Sequence, residues 1–76
     1  MWCVYLVICS DNTLYTGITN NLDKRIKTHN SGKGSKYCKT RLPVVLHKSW
    51  EFPDRSSASK EEYRIKQLTR KQKLEL

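Results

Sequence analysis

Basic side chains are absent from the first 23 residues of this 76-residue chain, yet Lys and Arg total 15 against 7 Asp and Glu. All 15 fall between Lys24 and Lys73, so a net charge of +8 sits behind an apolar opening. A balance of this sign points to a polyanion, because neutralising phosphates releases counterions and gives affinity without base reading. Long apolar runs are missing as well. Trp2–Cys9 is continuous but only eight residues long, well short of the roughly 20 that a spanning helix needs. It has neither a basic flank nor a small-residue cleavage site, so it reads as neither a membrane span nor a signal peptide. Cysteine is sparse and odd in number. Cys3, Cys9 and Cys38 show no C-x-x-C spacing, and neither His29 nor His47 stands at a ligand spacing from them. That argues against a disulfide framework and a zinc site, and for reduced thiols in a soluble cytoplasmic protein. A chain this short buries only about 60% of its unfolded surface. Residues 1–76 therefore read as one domain with no room for a separate recognition module.

What is present divides into apolar strands and basic helices. Trp2–Cys9, rich in Val, Ile, Tyr and Trp, suits a strand buried on both faces. Ser10, Asp11 and Asn12 are turn formers, and Thr13 to Ile18 reads as the returning strand of a hairpin. An odd-numbered turn puts Tyr5 and Tyr15 on one face, whereas an even one separates them. The Asp-Asn pair alone suggests the even turn; a shared site requires the odd one, which is the expectation adopted. Asn20 or Asn21 caps a helix running to about Asn30, stopped by Ser31 and Gly32. On it Leu22, Ile26 and His29 share a stripe bordered by Arg25, with Lys24, Lys27 and Thr28 toward water. Gly32 to Lys36 reads as a flexible basic loop, and Pro43 opens a third strand, Val44 to Trp50. Asp54, Ser56 and Ser57 are rival caps for a helix carrying Ala58, Glu62, Ile65 and Leu68. Thr69 and Gln72 form a capping box for a short last helix. The expected fold is α+β, in the order β-β-α-β-α-α, with helices packed on a small sheet.

Glu62 breaks the apolar pattern of its own stripe, where a carboxylate needs a partner. Two accounts compete. One is an edge-of-core ion pair with Arg25 or Lys66; the other is a ligand for Mg²⁺, which prefers carboxylate oxygen and keeps several waters. Glu61 lies about 100° further round the helix, nearer the solvent. Tyr5 and Tyr15, taken singly, are core-edge tyrosines with the hydroxyl in water. Gly17, two residues from Tyr15 on the same strand face, leaves an opening beside that phenol where a phosphate can approach. Arg25 alone reads as a surface ion pair, and His29 as a helix-end imidazolium favoured by the dipole. Between Lys33 and Arg41, the side chains of Lys33, Lys36, Lys39 and Arg41 can hold phosphates but read no base edges. A surface loop with solubility lysines accounts for them equally. Tyr37 either stacks on an unpaired base or sits at the core edge.

Several of these residues together carry a family likeness. Val4-Tyr5-Leu6, Tyr15-Thr16-Gly17-Ile18, Arg25, His29-Asn30 and Glu62 resemble the GIY-YIG nuclease superfamily. The likeness runs over essentially the whole chain and is strongest for the small standalone members, which share the hairpin-helix opening, the Gly-Lys-Gly loop and the helical tail. No Gly-Ile precedes the first tyrosine here, and the second tripeptide is Tyr15-Thr16-Gly17, with Thr16 pointing away from Tyr15. The resemblance implies a three-stranded antiparallel sheet flanked by helices, with Tyr5, Tyr15, Arg25, His29 and Glu62 converging on one site. It implies that Glu62 holds Mg²⁺ (or Mn²⁺) and that Arg25 neutralises charge growing on the phosphate oxygens. Tyr15 would take the proton of the attacking water, with Tyr5 and His29 placing water and phosphate. A phenol, of pKa about 10, needs a nearby cation to act as a base at neutral pH. Which of Tyr5, Tyr15 and His29 is the base stays open.

The expectation is therefore a Mg²⁺-dependent endonuclease acting on structured, damaged or single-stranded DNA with little sequence preference, RNA not being distinguished. A second expectation is a nucleic-acid-binding module with weak or no catalysis that relies on a protein partner. A third class, a basic adaptor for acidic proteins, would make the five residues merely structural.

Overall fold

The computed structural model covers residues 1–76. Strand β1 (Trp2–Ile8) lies in the middle of a sheet of order β2-β1-β3, with β2 (Leu14–Thr19) and β3 (Val45–Phe52) both antiparallel to it. Both faces of β1 are covered, so Val4, Tyr5, Leu6 and Val7 are all buried. That double burial is why the run is continuously apolar rather than alternating.

The hairpin turn is odd. Cys9 N–H donates to the Thr13 carbonyl at 2.8 Å and Asn12 N–H to the Cys9 carbonyl at 2.9 Å, enclosing Ser10, Asp11 and Asn12. Asn12 adopts φ of 65°, a left-handed conformation that Asn tolerates better than most residues. Asp11 steadies the turn by accepting from the Thr13 backbone at 3.1 Å and its hydroxyl at 2.6 Å. The resulting register pairs Tyr15 with Val7 and Gly17 with Tyr5. Tyr5 and Tyr15 therefore stand on the same face.

That face carries α1 (Leu22–Asn30) and α2 (Lys36–Lys39). Tyr5, Val7, Cys9, Cys38 and Val44 form its core, joined by Tyr15, Leu22, Ile26 and Leu42. On the opposite face α3 (Arg55–Lys66) packs Ala58 and Ile65 against Val4, with Trp2, Ile18, Trp50 and Phe52 around them. A short α4 (Arg70–Leu74) ends the chain's helices. None of the helices is long and apolar enough to cross a membrane.

Local hydrogen bonds explain the helix starts. Asn21, not Asn20, caps α1, its side chain accepting from Lys24 N–H at 3.2 Å. Asp54 prevails over Ser56 and Ser57 at α3, accepting from Ser57 N–H at 2.7 Å. Thr69 and Gln72 close the capping box of α4. At the far end of α1, the Asn30 amide donates to the Val44 carbonyl at 3.2 Å and accepts from Val44 N–H at 2.7 Å. This side chain imitates a strand partner and moors the segment entering β3.

Two segments differ from expectation. β3 runs from Val45 to Phe52 rather than from Val44 to Trp50, because pairing with β1 continues out to Trp2. At the end of the Gly32–Lys36 loop the chain forms an unexpected helix, α2, capped by the Ser35 hydroxyl accepting from Cys38 N–H at 3.1 Å. Burial of Cys38 against the Tyr5 core holds that turn in place.

Thr16 does point away from Tyr15, but it is buried, and its hydroxyl has no hydrogen-bond partner. A buried hydroxyl without a partner costs about 1–3 kcal/mol. Thr16→Val, which keeps the shape and removes that cost, is expected to raise the urea midpoint. A clear loss of stability would show that the hydroxyl is bonded.

Candidate active site

Tyr5 is the hub of the site. Its ring is 1% exposed, and its hydroxyl lies 2.9 Å from His29 Nε2. Arg25 Nε–H donates to the same oxygen at 3.3 Å. The register brings this phenol across Gly17, where any Cβ would collide with the hydroxyl and the ring carbon that bears it. The opening expected beside Gly17 for a phosphate is thus already filled by Tyr5. Gly17 is glycine because the Tyr5 ring occupies the space a side chain would need.

Burial pushes the Tyr5 hydroxyl above its ordinary value, an effect only partly opposed by the Arg25 hydrogen bond and charge. Arg25 is a cation in its own right, and its hydrogen bond to Tyr5 raises its proton affinity further. Arg25 donates into the phenol oxygen, and the phenol hydroxyl shares its second hydrogen bond with His29 Nε2. His29 is fully buried, and Nδ1 has no partner. Gly34 passes so close to this ring that a Cβ there would meet Nδ1, Cγ and the His29 Cα. Desolvation, then repulsion from Arg25, lowers the imidazole's affinity for a proton. The helix-end imidazolium expected of His29 is therefore corrected to a neutral ring, because burial and the neighbouring guanidinium outweigh the dipole.

Tyr15 completes the group from β2. Its ring centroid lies 6.3 Å from Tyr5 and 5.5 Å from His29, and unlike Tyr5 it is only half-buried. Tyr37 stacks on Tyr15 at 5.9 Å and 25°. Arg41 in turn lies 4.2 Å over the Tyr37 ring, donates to the Tyr37 carbonyl at 2.7 Å and pairs with Asp11 at 3.0 Å. The Tyr37 ring, offered from the sequence as a platform for a base, is engaged in supporting Tyr15. Arg41, expected to hold phosphate, instead links the hairpin turn to α2. That chain of contacts was invisible in the sequence because Asp11 and Arg41 are 30 positions apart.

Lys33, Lys36 and Lys39 are exposed and have no acidic partner. The only cavity of the molecule, about 230 Å³, lies on the other side of Arg25. Thr19, Asn20, Asn21, Lys24, Arg25 and Thr28 line it, and of these only Arg25 was singled out from the sequence.

Glu62 stands apart from the other four. It lies on α3, across the sheet from Tyr5, between the buried Ala58 and Ile65. Its carboxylate is 22% exposed and pairs with Lys66 at 3.4 Å; it makes no hydrogen bond or ion pair with Tyr5, Tyr15, Arg25 or His29. Glu61, placed nearer the solvent by the helical wheel, is equally covered at 25% because it folds onto Arg64. Three or more His, Cys, Asp or Glu side chains nowhere gather to form a ready-made metal cage. A single half-buried carboxylate still suits Mg²⁺, which takes one or two carboxylates and completes its shell with waters and substrate phosphates.

The neutral, buried His29 has a pH signature. The unfolded imidazole takes a proton below about pH 6.5, while the folded one resists it. Stability is therefore expected to hold above that pH and decline beneath it. His29→Gln should reduce the decline in urea midpoint between about pH 7 and about pH 5. Identical pH dependence in the two proteins would refute a neutral buried ring.

Comparison with known proteins places the chain among relatives. The model of the GIY-YIG catalytic domain matches residues 1–75. UPF0213 protein SH2523 of Staphylococcus haemolyticus is 55% identical over 73 residues, covering 96% of this chain and 89% of that protein. UPF0213 protein RBAM_000440 of Bacillus velezensis is 54% identical over 69 residues, covering 91% and 70%. Among solved structures, the NMR structure of UPF0213 protein BH0048 from Bacillus halodurans is 44% identical, with TM-score 0.59 over 96% of this chain and 79% of that one. EF2693 from E. faecalis is 42% identical, with TM-score 0.64 over 96% and 78%. With its strand-borne tyrosines, its arginine and its histidine gathered on one face of a three-stranded sheet, the chain belongs to the GIY-YIG catalytic domain family, a family of nucleases.

Proposed function

We propose that the protein is a Mg²⁺-dependent (or Mn²⁺-dependent) endonuclease that hydrolyses phosphodiester bonds of DNA, structured, damaged or single-stranded, with little sequence preference. The observation that carries this reading is the convergence of Tyr5, Tyr15, Arg25 and His29 beside a polar, cationic cavity. A net charge of +8 supplies attraction to the phosphate backbone. Three free thiols suit a reducing compartment such as the cytoplasm.

Burial separates the roles of the two phenols. Tyr5 is closed off from water, held between His29 and Arg25, and raised in pKa, so it serves as a positioning group. Tyr15 is half-exposed on the same face and is the phenol that a water molecule can reach. In this reading the phenolate form of Tyr15 takes the water's proton, becoming the phenol, as the water oxygen attacks phosphorus. Arg25, a cation beside both rings, offsets charge on the phosphate oxygens. Neutral His29 orients Tyr5 through Nε2. Glu62 would hold the divalent cation, exchanging Lys66 for it; when bound, Mg²⁺ polarises a phosphate oxygen and stabilises the leaving oxygen.

The placement of Glu62 with Lys66, apart from the cluster, favours one alternative: a nucleic-acid-binding module that becomes active only with a partner protein or bound substrate. Purified protein incubated with labelled branched and single-stranded DNA, and with RNA, in the presence of Mg²⁺ or Mn²⁺ distinguishes the two. Cleavage is expected, with Arg25→Ala and Glu62→Ala inactive. Tyr15→Phe should bind normally and lose about 10²–10⁴-fold in turnover. Cleavage unchanged in Arg25→Ala and Glu62→Ala would mark a contaminant and end the endonuclease reading. Tight, salt-sensitive binding without cleavage would establish the binding module instead.

A further inference from the structure

The molecule's one cavity is not part of the tyrosine–histidine cluster, although it shares Arg25 with it. Its lining is wholly polar: Thr19, Asn20, Asn21, Lys24, Arg25 and Thr28, with no carboxylate among them. Lys24 has no ion pair anywhere in the fold, and the Arg25 guanidinium is engaged by the two phenols, bonding Tyr5 through Nε, and by no carboxylate. Two cations thus border a concavity that no acidic group of the protein neutralises.

The walls are also held in place before any ligand arrives. Thr19 accepts from Asn21 N–H at 3.1 Å and donates to the Asn21 carbonyl at 3.2 Å. Asn21 holds Lys24 N–H, and the Thr28 hydroxyl donates to the Lys24 carbonyl at 2.8 Å. The Asn20 amide remains free to donate. At about 230 Å³, the space is below the roughly 300–1,000 Å³ of pockets that enclose small molecules. It suits an anionic group attached to something larger.

We propose that this cavity holds a second phosphate of a polynucleotide, next to the one presented to Tyr15. Lys24 neutralises it, Asn20 donates to it, and Arg25 bridges the two phosphates across the shared wall. The assignment rests on the nuclease reading for its substrate class and extends it by giving the strand a path. The backbone runs from the phenols over Arg25 toward the junction of β2 and α1. Nothing in the cavity lining distinguishes one base from another, so the site sets register along the backbone and not sequence.

Binding in EDTA, where no cleavage can occur, tests this separately from catalysis. Wild type, Lys24→Gln and Lys48→Gln (a control on the opposite edge strand β3) are titrated with fluorescent single-stranded DNA between about 50 and about 200 mM salt. Lys24→Gln is expected to weaken binding severalfold and to lower the salt slope by about 0.7, the contribution of one phosphate on a single strand. Lys48→Gln should match wild type. Oligonucleotides with and without a 5′-phosphate identify the source. Equal loss for both indicates an internal phosphodiester, and loss confined to the phosphorylated strand indicates a terminal phosphate; either supports the site. If wild type binds and Lys24→Gln keeps the same slope, the cavity assignment is overturned while the nuclease reading stands. If wild type binds no nucleic acid at low salt, both fall.

Discussion

A phenol taken almost completely out of water is the constraint on which this structure turns. Tyr5 lies in the central strand, and its hydroxyl must keep hydrogen-bond partners once the sheet and α1 close over it. Arg25 and His29, one helical turn apart on α1, provide them. Everything nearby is shaped to allow that arrangement. β2 carries no side chain at Gly17, the loop after α1 carries none at Gly34, and α2 brings Cys38 in to finish the apolar wall. The imidazole loses its readiness to charge because it is enclosed beside a permanent cation.

The sheet divides the molecule into layers of different character. One face gathers rings and hydrogen bonds; the other is a small apolar core beneath α3, with its carboxylates tied to their own helix. Only β1 and β2 belong fully to both, since each sends alternate residues to either side. β2 is therefore where the two layers communicate. It is an edge strand, it carries Tyr15 toward one layer and Thr16 and Ile18 toward the other, and α3 packs on it as well as on β1. A group bound at that edge can draw on donors from both sides.

Much of the fold was legible because it depends on local patterns. The buried central strand, the capped α1 and the Thr69 helix start have signatures within a few residues. The cap of α3, by contrast, was open among three residues, and the face shared by Tyr5 and Tyr15 was adopted because a common site required it, against the Asp-Asn turn signal. The expected three-stranded antiparallel sheet with flanking helices is what the structure contains. What escaped involves partners distant in sequence. Gly17 seemed to leave space because the ring that fills it comes from another strand. Arg41 seemed free because its carboxylate is in the hairpin turn, and α2 was hidden because its stabilising residue, Cys38, packs against β1. His29 was read from its helix position when its burial decides its charge. The polar cavity had no sequence signature at all, since Thr19, Asn20 and Lys24 are ordinary residues for a helix start.

Residues 5 and 17 occupy one shared volume, and this has an evolutionary corollary. Neither can drift alone. A larger residue at 17, arriving first, would expel the aromatic ring and strand both of its partners without a counterpart. Loss of the ring, arriving first, would leave a void that a bigger neighbour on β2 could fill, but only after the hub had gone. Descendants that have abandoned the ancestral chemistry should therefore show the two positions altered together, and a lineage retaining the glycine without the aromatic is caught midway.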